Sequence, residues 1–195
     1  MNCAGLQAHY EDIKADERLH KADILLFQET SLNVDDQRDF EIVSHPVLFH
    51  VRNGRGKGVS VYMKQRYIEK TCCSKEGFQI AKIILNRLNI LNVYRSSSAS
   101  TDDFCVKLKE IVASTRNTLI FGDFNVCGQR EKNSKIPSFL SRLKFTQLVN
   151  EATQIQGRQI DHFYVKDELK HDVIDVERYS MYYSDHDALL LTLKI

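Results

Sequence analysis

Residues 118–125, T-L-I-F-G-D-F-N, leave the chain few choices. Leu119, Ile120 and Phe121 form a short apolar run of the buried-strand kind, stopped by Gly122 and followed by Asp123 and Asn125 on either side of Phe124. A strand ends there and two polar groups begin. Alternate side chains of an extended segment share a face, so Asp123 and Asn125 are expected to project together from the strand's carboxyl end, where α/β sheets place their chemistry. The pair suits a metal ion, a phosphate or both.

The pattern recurs upstream. Asp23 to Thr30, D-I-L-L-F-Q-E-T, is a second apolar run that finishes in a carboxylate, Glu29. Before it, His9 to Ala22 carries Tyr10, Ile13, Leu19 and Ala22 among charged residues, the pattern of an amphipathic, largely solvated helix. After it, Phe40 to Val43, Val47 to Val51 and Val59 to Met63 read as strands. Between the last two lies Asn53 to Gly58, N-G-R-G-K-G, with Arg55 and Lys57. Its spacing matches neither a P-loop nor a dinucleotide fingerprint, which leaves a hairpin turn with solvated charges or a basic loop that touches a phosphate backbone.

Phe78 to Leu85 and Leu88 to Tyr94 make a hairpin through Asn86 and Arg87, with Arg95 following directly. Ser100 or Thr101 caps a helix that runs to about Thr115, with Asp102 and Asp103 in its first turn. Arg130, Lys132 and Lys135 precede a second helix, roughly Ile136 to Leu143. Gln159 to Val165 is a strand with Asp161 near its start, and the chain closes with Y-Y-S-D-H-D at Tyr182 to Asp187 and the apolar run Ala188 to Leu193. No repeat or linker divides the chain, so one β-rich α/β domain over residues 1–195 is expected.

Composition removes several function classes. A hydrophobic content of 43% with 27% charge and only 2 prolines suits a globular domain rather than a disordered chain. No apolar run approaches the roughly 18 residues that span a bilayer, and Met1 leads into polar sequence without a secretory apolar region; a soluble, intracellular protein is expected. A formal charge of +1 does not by itself call for a polyanionic partner. The five cysteines, Cys3, Cys72, Cys73, Cys105 and Cys127, contain no C-x-x-C pair, and read as reduced structural thiols rather than zinc ligands.

Several strand ends carry groups suited to one task. Glu29, Asp123 and Asn125 offer oxygen to a hard divalent cation, and Mg²⁺ takes few protein ligands while keeping waters and substrate phosphate. His186, between Asp185 and Asp187, offers an imidazole whose tautomer a carboxylate such as Asp161 can fix. Singly, each is as well explained as a turn, cap or surface residue. Their joint occurrence is what points to chemistry.

The ordered set N-C-A-G-L at Asn2, Q-E-T at Gln28, V-Y-R-S at Val93, G-D-F-N at Gly122, I-D-H at Ile160 and S-D-H at Ser184 resembles the endonuclease/exonuclease/phosphatase superfamily. The resemblance implies a four-layer α/β sandwich, two packed mixed sheets flanked by helices, and metal-dependent cleavage of phosphoesters. It implies Glu29 as principal metal ligand with Asn2 in support, and Asp185 completing the metal or acid site. Asp123 is then the residue that orients or deprotonates water, Asn125 the one that holds a phosphate oxygen, and Tyr94 a contact to the scissile phosphate. His186, held by Asp161, is implied to stabilise the transferred phosphoryl group. The cofactor implied is Mg²⁺, with Mn²⁺ as a substitute.

The segment Phe145 to Val165, T-Q-L-V-N-E-A-T then G-R-Q-I-D-H-F-Y-V, looks like the endonuclease domains of mobile elements, both the retrotransposon and the helicase-linked kind. That branch implies a DNA substrate and nicking, partner domains in a larger polyprotein, and a nuclear, monomeric enzyme. Arg55, Lys57, Arg95, Arg130 and Lys132 are the candidate phosphate contacts, mostly blind to sequence. The absence of Trp disfavours abasic-site incision relative to plain nicking, since the abasic-site enzymes usually carry one near the damage pocket. One departure accompanies the resemblance. Family members usually have a full strand before the first Asn, whereas Asn2 follows Met1; an unpaired sheet edge and a poorly anchored Asn2 are therefore expected. Two rival readings remain at this point, a phosphatase or phosphodiesterase on RNA tails or lipid or inositol phosphates, and a non-catalytic nucleic-acid-binding remnant.

Overall fold

The computed structural model describes residues 1–32, 40–52, 57–65, 69–113, 115–127 and 135–194. Side-chain alternation along two central strands decides its layers. Ile90 and Tyr94 of β6 (Leu88–Arg95) and Leu119 of β7 (Thr118–Asp123) share one face and pack with Val59, Val61 and Met63 of β3 (Val59–Met63). Leu91, Val93 and Ile120 turn the other way. They pack with Phe104, Leu108 and Val112 of α3 (Thr101–Val112) and with Ile136 and Leu140 of α4 (Lys135–Arg142). Both strands are thus buried on both faces, as their continuous apolar runs require.

These strands belong to a six-stranded mixed sheet. Its other members are β4 (Glu69–Lys75), β5 (Phe78–Leu85), β8 (Phe145–Gln147) and β9 (Asp161–Lys166), in the order β4-β5-β6-β7-β9-β8. Only β6 and β7 run parallel in it. The second layer consists of β1 (Ile24–Gln28), β2 (Val47–Val51) and β3 in the order β1-β3-β2, and of the pair β10 (Val173–Tyr179) and β11 (Ala188–Leu193). Its outer face is covered by α1 (Tyr10–Ala15) and α2 (Glu17–Lys21), whose Ile13 and Leu19 pack with Leu25, Phe27, Tyr62 and Ala188. Helices, sheet, sheet and helices make the expected four layers.

The details depart from expectation in places. The second layer is split into two antiparallel pieces. The helix expected from His9 to Ala22 breaks at Asp16, which is extended and whose carboxylate accepts the Arg18 amide at 3.0 Å to start α2. Phe40 to Val43 is no strand; only a bridge between Ile42 and His45 forms there. β8 and β10 were not signalled by alternation. Of the glycine turn, residues 53–56 lie outside the described residues, which leaves Lys57 and Gly58 to be placed. The edge is left largely unpaired: among the described residues β1 carries on its outer side only the Met1–Cys3 segment, through the parallel bridge Asn2 to Gln28 and the Met1 ammonium, which donates to the Leu26 carbonyl at 2.7 Å, and β11 pairs only with β10. A cavity of about 1080 Å³ lined by Ile24, Leu26, Leu189 and Leu191 lies between the two edges.

Gly122 is where the central sheet admits one residue type. It lies opposite Val93 on β6 and His162 on β9, with φ +151°, and a Cβ there would stand 1.8 Å from the Val93 carbonyl oxygen. The backbone of β7 therefore passes closer to β6 than any side chain permits. Gly122→Ala is expected to lower stability by about 3 kcal/mol, the scale of a forced backbone shift in a packed core. A urea midpoint that falls while the slope stays constant is the result to look for.

Candidate active site

Strand register builds the centre. In the sheet Tyr94 of β6 lies beside Asp123 of β7, which lies beside Asp161 of β9. Asp123 is 1% exposed, and its two oxygens are held by different parts of the chain. Oδ2 accepts the Asn2 side-chain amide at 3.0 Å, and Oδ1 accepts the Asn125 backbone N–H at 2.9 Å. The second bond is an Asx turn with Asn125 left-handed at φ +50°. Asp123 and Asn125 are thus brought together by a turn, not by the strand alternation expected from the sequence. The Asn125 amide donates to the Arg95 carbonyl at 2.9 Å.

Asp161 holds the imidazole. His186 Nδ1 donates to Asp161 Oδ2 at 2.8 Å, and the same oxygen accepts the Thr153 hydroxyl at 2.7 Å. Thr153 Oγ1 also accepts the backbone N–H of Asp161 at 3.1 Å, so it fixes both the strand start and the carboxylate. Ser184 performs a similar service for the final turn: its hydroxyl donates to the Asn2 carbonyl at 2.9 Å and accepts the His186 N–H at 3.1 Å. Sequence reasoning assigned neither residue a role, although Thr153 closes T-Q-L-V-N-E-A-T and Ser184 opens S-D-H. Asp123, Asp161 and His186 each place a ligand-capable atom within 4.8 Å of the others, and all three are buried.

Asn2 is better anchored than expected. The Gln28 amide donates to the Met1 carbonyl and the Cys3 amide to the Gln28 carbonyl, each at 3.0 Å, so a short parallel ladder holds Asn2 against β1. Its Oδ1 accepts the Ala4 N–H at 3.0 Å. Glu29 stands outside the three-residue group. It follows β1 in the left-handed region, at φ +55°, and its carboxylate meets the Lys57 ammonium at 3.2 Å and the Tyr94 hydroxyl. Tyr94 also feels the charge of Asp123, so it links the two groups of carboxylates. Asp185 reaches outward: its Oδ2 accepts the Gln154 amide at 2.9 Å, and its Oδ1 lies 4.0 Å from His186 Nε2.

One assignment needs correction. Arg95 is buried, and its guanidinium donates to the Ala99 carbonyl at 2.6 Å, the Phe124 carbonyl at 3.2 Å and the Thr101 hydroxyl at 2.9 Å. It secures the loop after β6 against the Asp123 turn and is no phosphate contact. Arg55, Arg130 and Lys132 lie outside the described residues. Cys3, beside Asn2, has its thiol pushed up to about 12 by burial and is not a nucleophile.

The sequence profile of the endonuclease/exonuclease/phosphatase family matches residues 1–186, which contain every site residue above. The chain belongs to this family. Its fold matches that of the endonuclease domain of TRAS1, a telomere-specific non-LTR retrotransposon, with a TM-score of 0.74 at 13% identity over 100% of this chain and 95% of that one. An AP endonuclease from Archaeoglobus fulgidus gives 0.79 at 17% identity over 100% and 97%. The Xenopus laevis APE2 catalytic domain gives 0.73 at 15% over 99% and 90%. No curated protein matches by sequence at a significant level.

Family members of this kind imply a divalent cation, and the residues present fit one. The donors are carboxylates and one imidazole. Asp161 Oδ1 is buried with no hydrogen-bond partner, and burial, with the Asp161 charge beside it, pushes the Asp123 carboxyl up to about 7. This concentration of negative charge, joined through Tyr94 to the Glu29 carboxylate, is what a cation held at Glu29 would relieve. For His186, burial pulls the pKa down, but the Asp161 hydrogen bond and the charges of Asp161, Asp123 and Asp185 outweigh it and raise it.

These shifts set a pH dependence. An unfolded Asp loses its proton near pH ~4, whereas folded Asp123 keeps its own to about 7, so between those values the folded chain binds more protons and stability falls as pH rises. The raised His186 acts in the same sense just above its ordinary range. In EDTA the melting temperature is therefore expected to drop from about pH 5 to about pH 8, and Asp123→Asn to remove most of that drop. A flat profile in the unmutated protein would contradict the placement of Asp123.

Proposed function

We propose that this chain is a divalent-cation-dependent phosphodiester hydrolase that nicks DNA. The observation that carries the reading is the array of Asn2, Asp123 and Asn125 facing the Asp161–His186 pair, assembled from four separate stretches of chain. The names of the matched proteins, the endonuclease domain of a retrotransposon and an AP endonuclease, support DNA as substrate. The mobile-element likeness supports a place within a larger element-encoded protein that acts in the nucleus.

Each residue then has a task. Asp123, whose carboxyl titrates near neutrality, orients water and takes its proton as the water oxygen bonds to phosphorus. Asp161 fixes His186 with its proton on Nδ1, leaving Nε2 to face a phosphoryl oxygen; the raised pKa of His186 favours the charged imidazolium there. Asn125 and Tyr94 supply fixed donors on either side of Asp123, which hold the phosphate in line for displacement of the leaving oxygen. Glu29, with Asn2 and Asp185 in support, would hold Mg²⁺ or Mn²⁺, which supplies polarisation of a phosphoryl oxygen and neutralises charge as it develops.

Supercoiled plasmid incubated with the protein and Mg²⁺ is expected to become open-circular, and EDTA to prevent it. Asp123→Ala and His186→Ala should each lower the nicking rate by about 100-fold or more. Plasmid that stays supercoiled beside protein with an intact thermal transition would sink the reading. Turnover confined to poly(A) or a small phosphoester would move it to another branch of the family.

A further inference from the structure

We propose that Lys57 is a resident substitute for the divalent cation at Glu29, displaced onto a substrate phosphate when the ion binds, so that ion and DNA bind cooperatively. The inference rests on the reading that Glu29 holds the ion.

Lys57 reaches Glu29 because the backbone brings it there. β1 and β3 remain in antiparallel register up to Gln28 and Val59. Beyond that pair the two chains stay laced: the Thr30 amide donates to the Gly58 carbonyl at 3.3 Å, and the Ser31 amide to the Lys57 carbonyl at 2.6 Å. Gly58 permits this approach. At φ +79°, a Cβ on it would lie 3.2 Å from the Val51 carbonyl and 3.3 Å from the Thr30 hydroxyl. The position of Lys57 is therefore set by the main chain at Lys57 and Gly58, not by a drifting side chain.

The two partners differ in what they can do. The Glu29 side chain is 18% exposed and keeps the Tyr94 hydroxyl as a neighbour, whereas the Lys57 side chain is 55% exposed. A mostly buried carboxylate needs a cationic partner. Lys57 supplies one at 3.2 Å, but an ammonium and a divalent ion on the same carboxylate repel each other strongly at such distances. The flexible four-carbon stem lets the ammonium leave, and as a donor with no acceptor it needs a new anion. On the substrate side of Tyr94 and Asp123 that anion is a DNA phosphate.

Four variants test the coupling: Lys57→Met, Lys57→Arg, Glu29→Gln and the double variant Lys57→Met/Glu29→Gln, each checked for an unchanged thermal transition. By calorimetry without DNA, Lys57→Met should bind Mn²⁺ about two- to fivefold more tightly, the scale of a partly exposed ion pair, while Lys57→Arg should stay near the wild-type value. By fluorescence anisotropy with duplex DNA in EDTA, Glu29→Gln should bind about two- to fivefold more tightly because Lys57 is free. The double variant should bind more weakly than Glu29→Gln, with a salt slope smaller by about one, because the freed Lys57 is then missing. The gain from Glu29→Gln should vanish in the double variant. Equal or weaker Mn²⁺ affinity in Lys57→Met, or a gain that survives in the double variant, overturns the proposal and leaves the hydrolase reading standing. If the wild-type chain binds no Mn²⁺, both fall together.

Discussion

A carboxyl group buried beside a second carboxyl group is the constraint on which the rest of this site depends. Asp123 loses nearly all contact with water, and its nearest charged neighbour in the sheet is Asp161. Such an arrangement persists only if donors are supplied from elsewhere in the chain. Asn2, the Asn125 amide, Thr153 and His186 supply them, and they come from segments as far apart in sequence as residues 2 and 186. The register that creates the problem depends in turn on Gly122, which lets β7 approach β6 where no side chain fits. A single glycine thereby fixes that Tyr94, Asp123 and Asp161 stand side by side at the ends of β6, β7 and β9.

Just below this group the two sheets are joined by polar bonds rather than by apolar packing alone. The Gln28 amide donates to Asn92 Oδ1, and the Asn92 amide donates to the Phe27 carbonyl at 3.1 Å and the Ser60 carbonyl at 3.0 Å. All of these groups are deeply buried, where an unsatisfied amide is costly, so the network admits few relative positions of the sheets. Asn92 lies two residues before Tyr94 on the same face of β6. Gln28 immediately precedes Glu29. The bridge therefore sets the spacing between the carboxylate that stands on one sheet and the carboxylates that stand on the other, which apolar contacts alone leave less sharply defined.

The layers and most strands could be read from the sequence because they follow from runs such as Leu119 to Phe121 and the Phe78 to Tyr94 hairpin, where burial dictates the pattern. The ordered polar motifs likewise named Asp123, Asp161 and His186, which the structure brings together. What failed to show was of another kind. β10 is mostly exposed, so its residues carry little apolar alternation, and β8 is three residues long. Arg95 looked like a surface cation because its charge is visible in sequence, whereas the carbonyls of Ala99 and Phe124 that absorb it are not. Thr153 and Ser184 are ordinary residue types, and only their distances to Asp161, Asn2 and His186 reveal what they do.

The deepest limit on reading the site from sequence lies in the backbone. Seven non-glycine residues among those described have positive φ, and four of them, Ala4, Glu29, Ser31 and Asn125, border the site. A left-handed residue with a Cβ costs about 1–2 kcal/mol, so such positions need bonds that hold them. Short turns hold Ala4 through the Asn2 side chain and Asn125 through Asp123, while bonds to distant segments tie Ser31 to the Lys57 carbonyl and the Asn125 side chain to the Arg95 carbonyl. The consequence is directional. Alternation places Glu29 on a face of β1, but its left-handed backbone turns it toward Lys57 and Tyr94. A side chain that leaves a strand this way is aimed by tertiary structure, so the chemistry of Glu29 exists only once the second sheet has closed on the first.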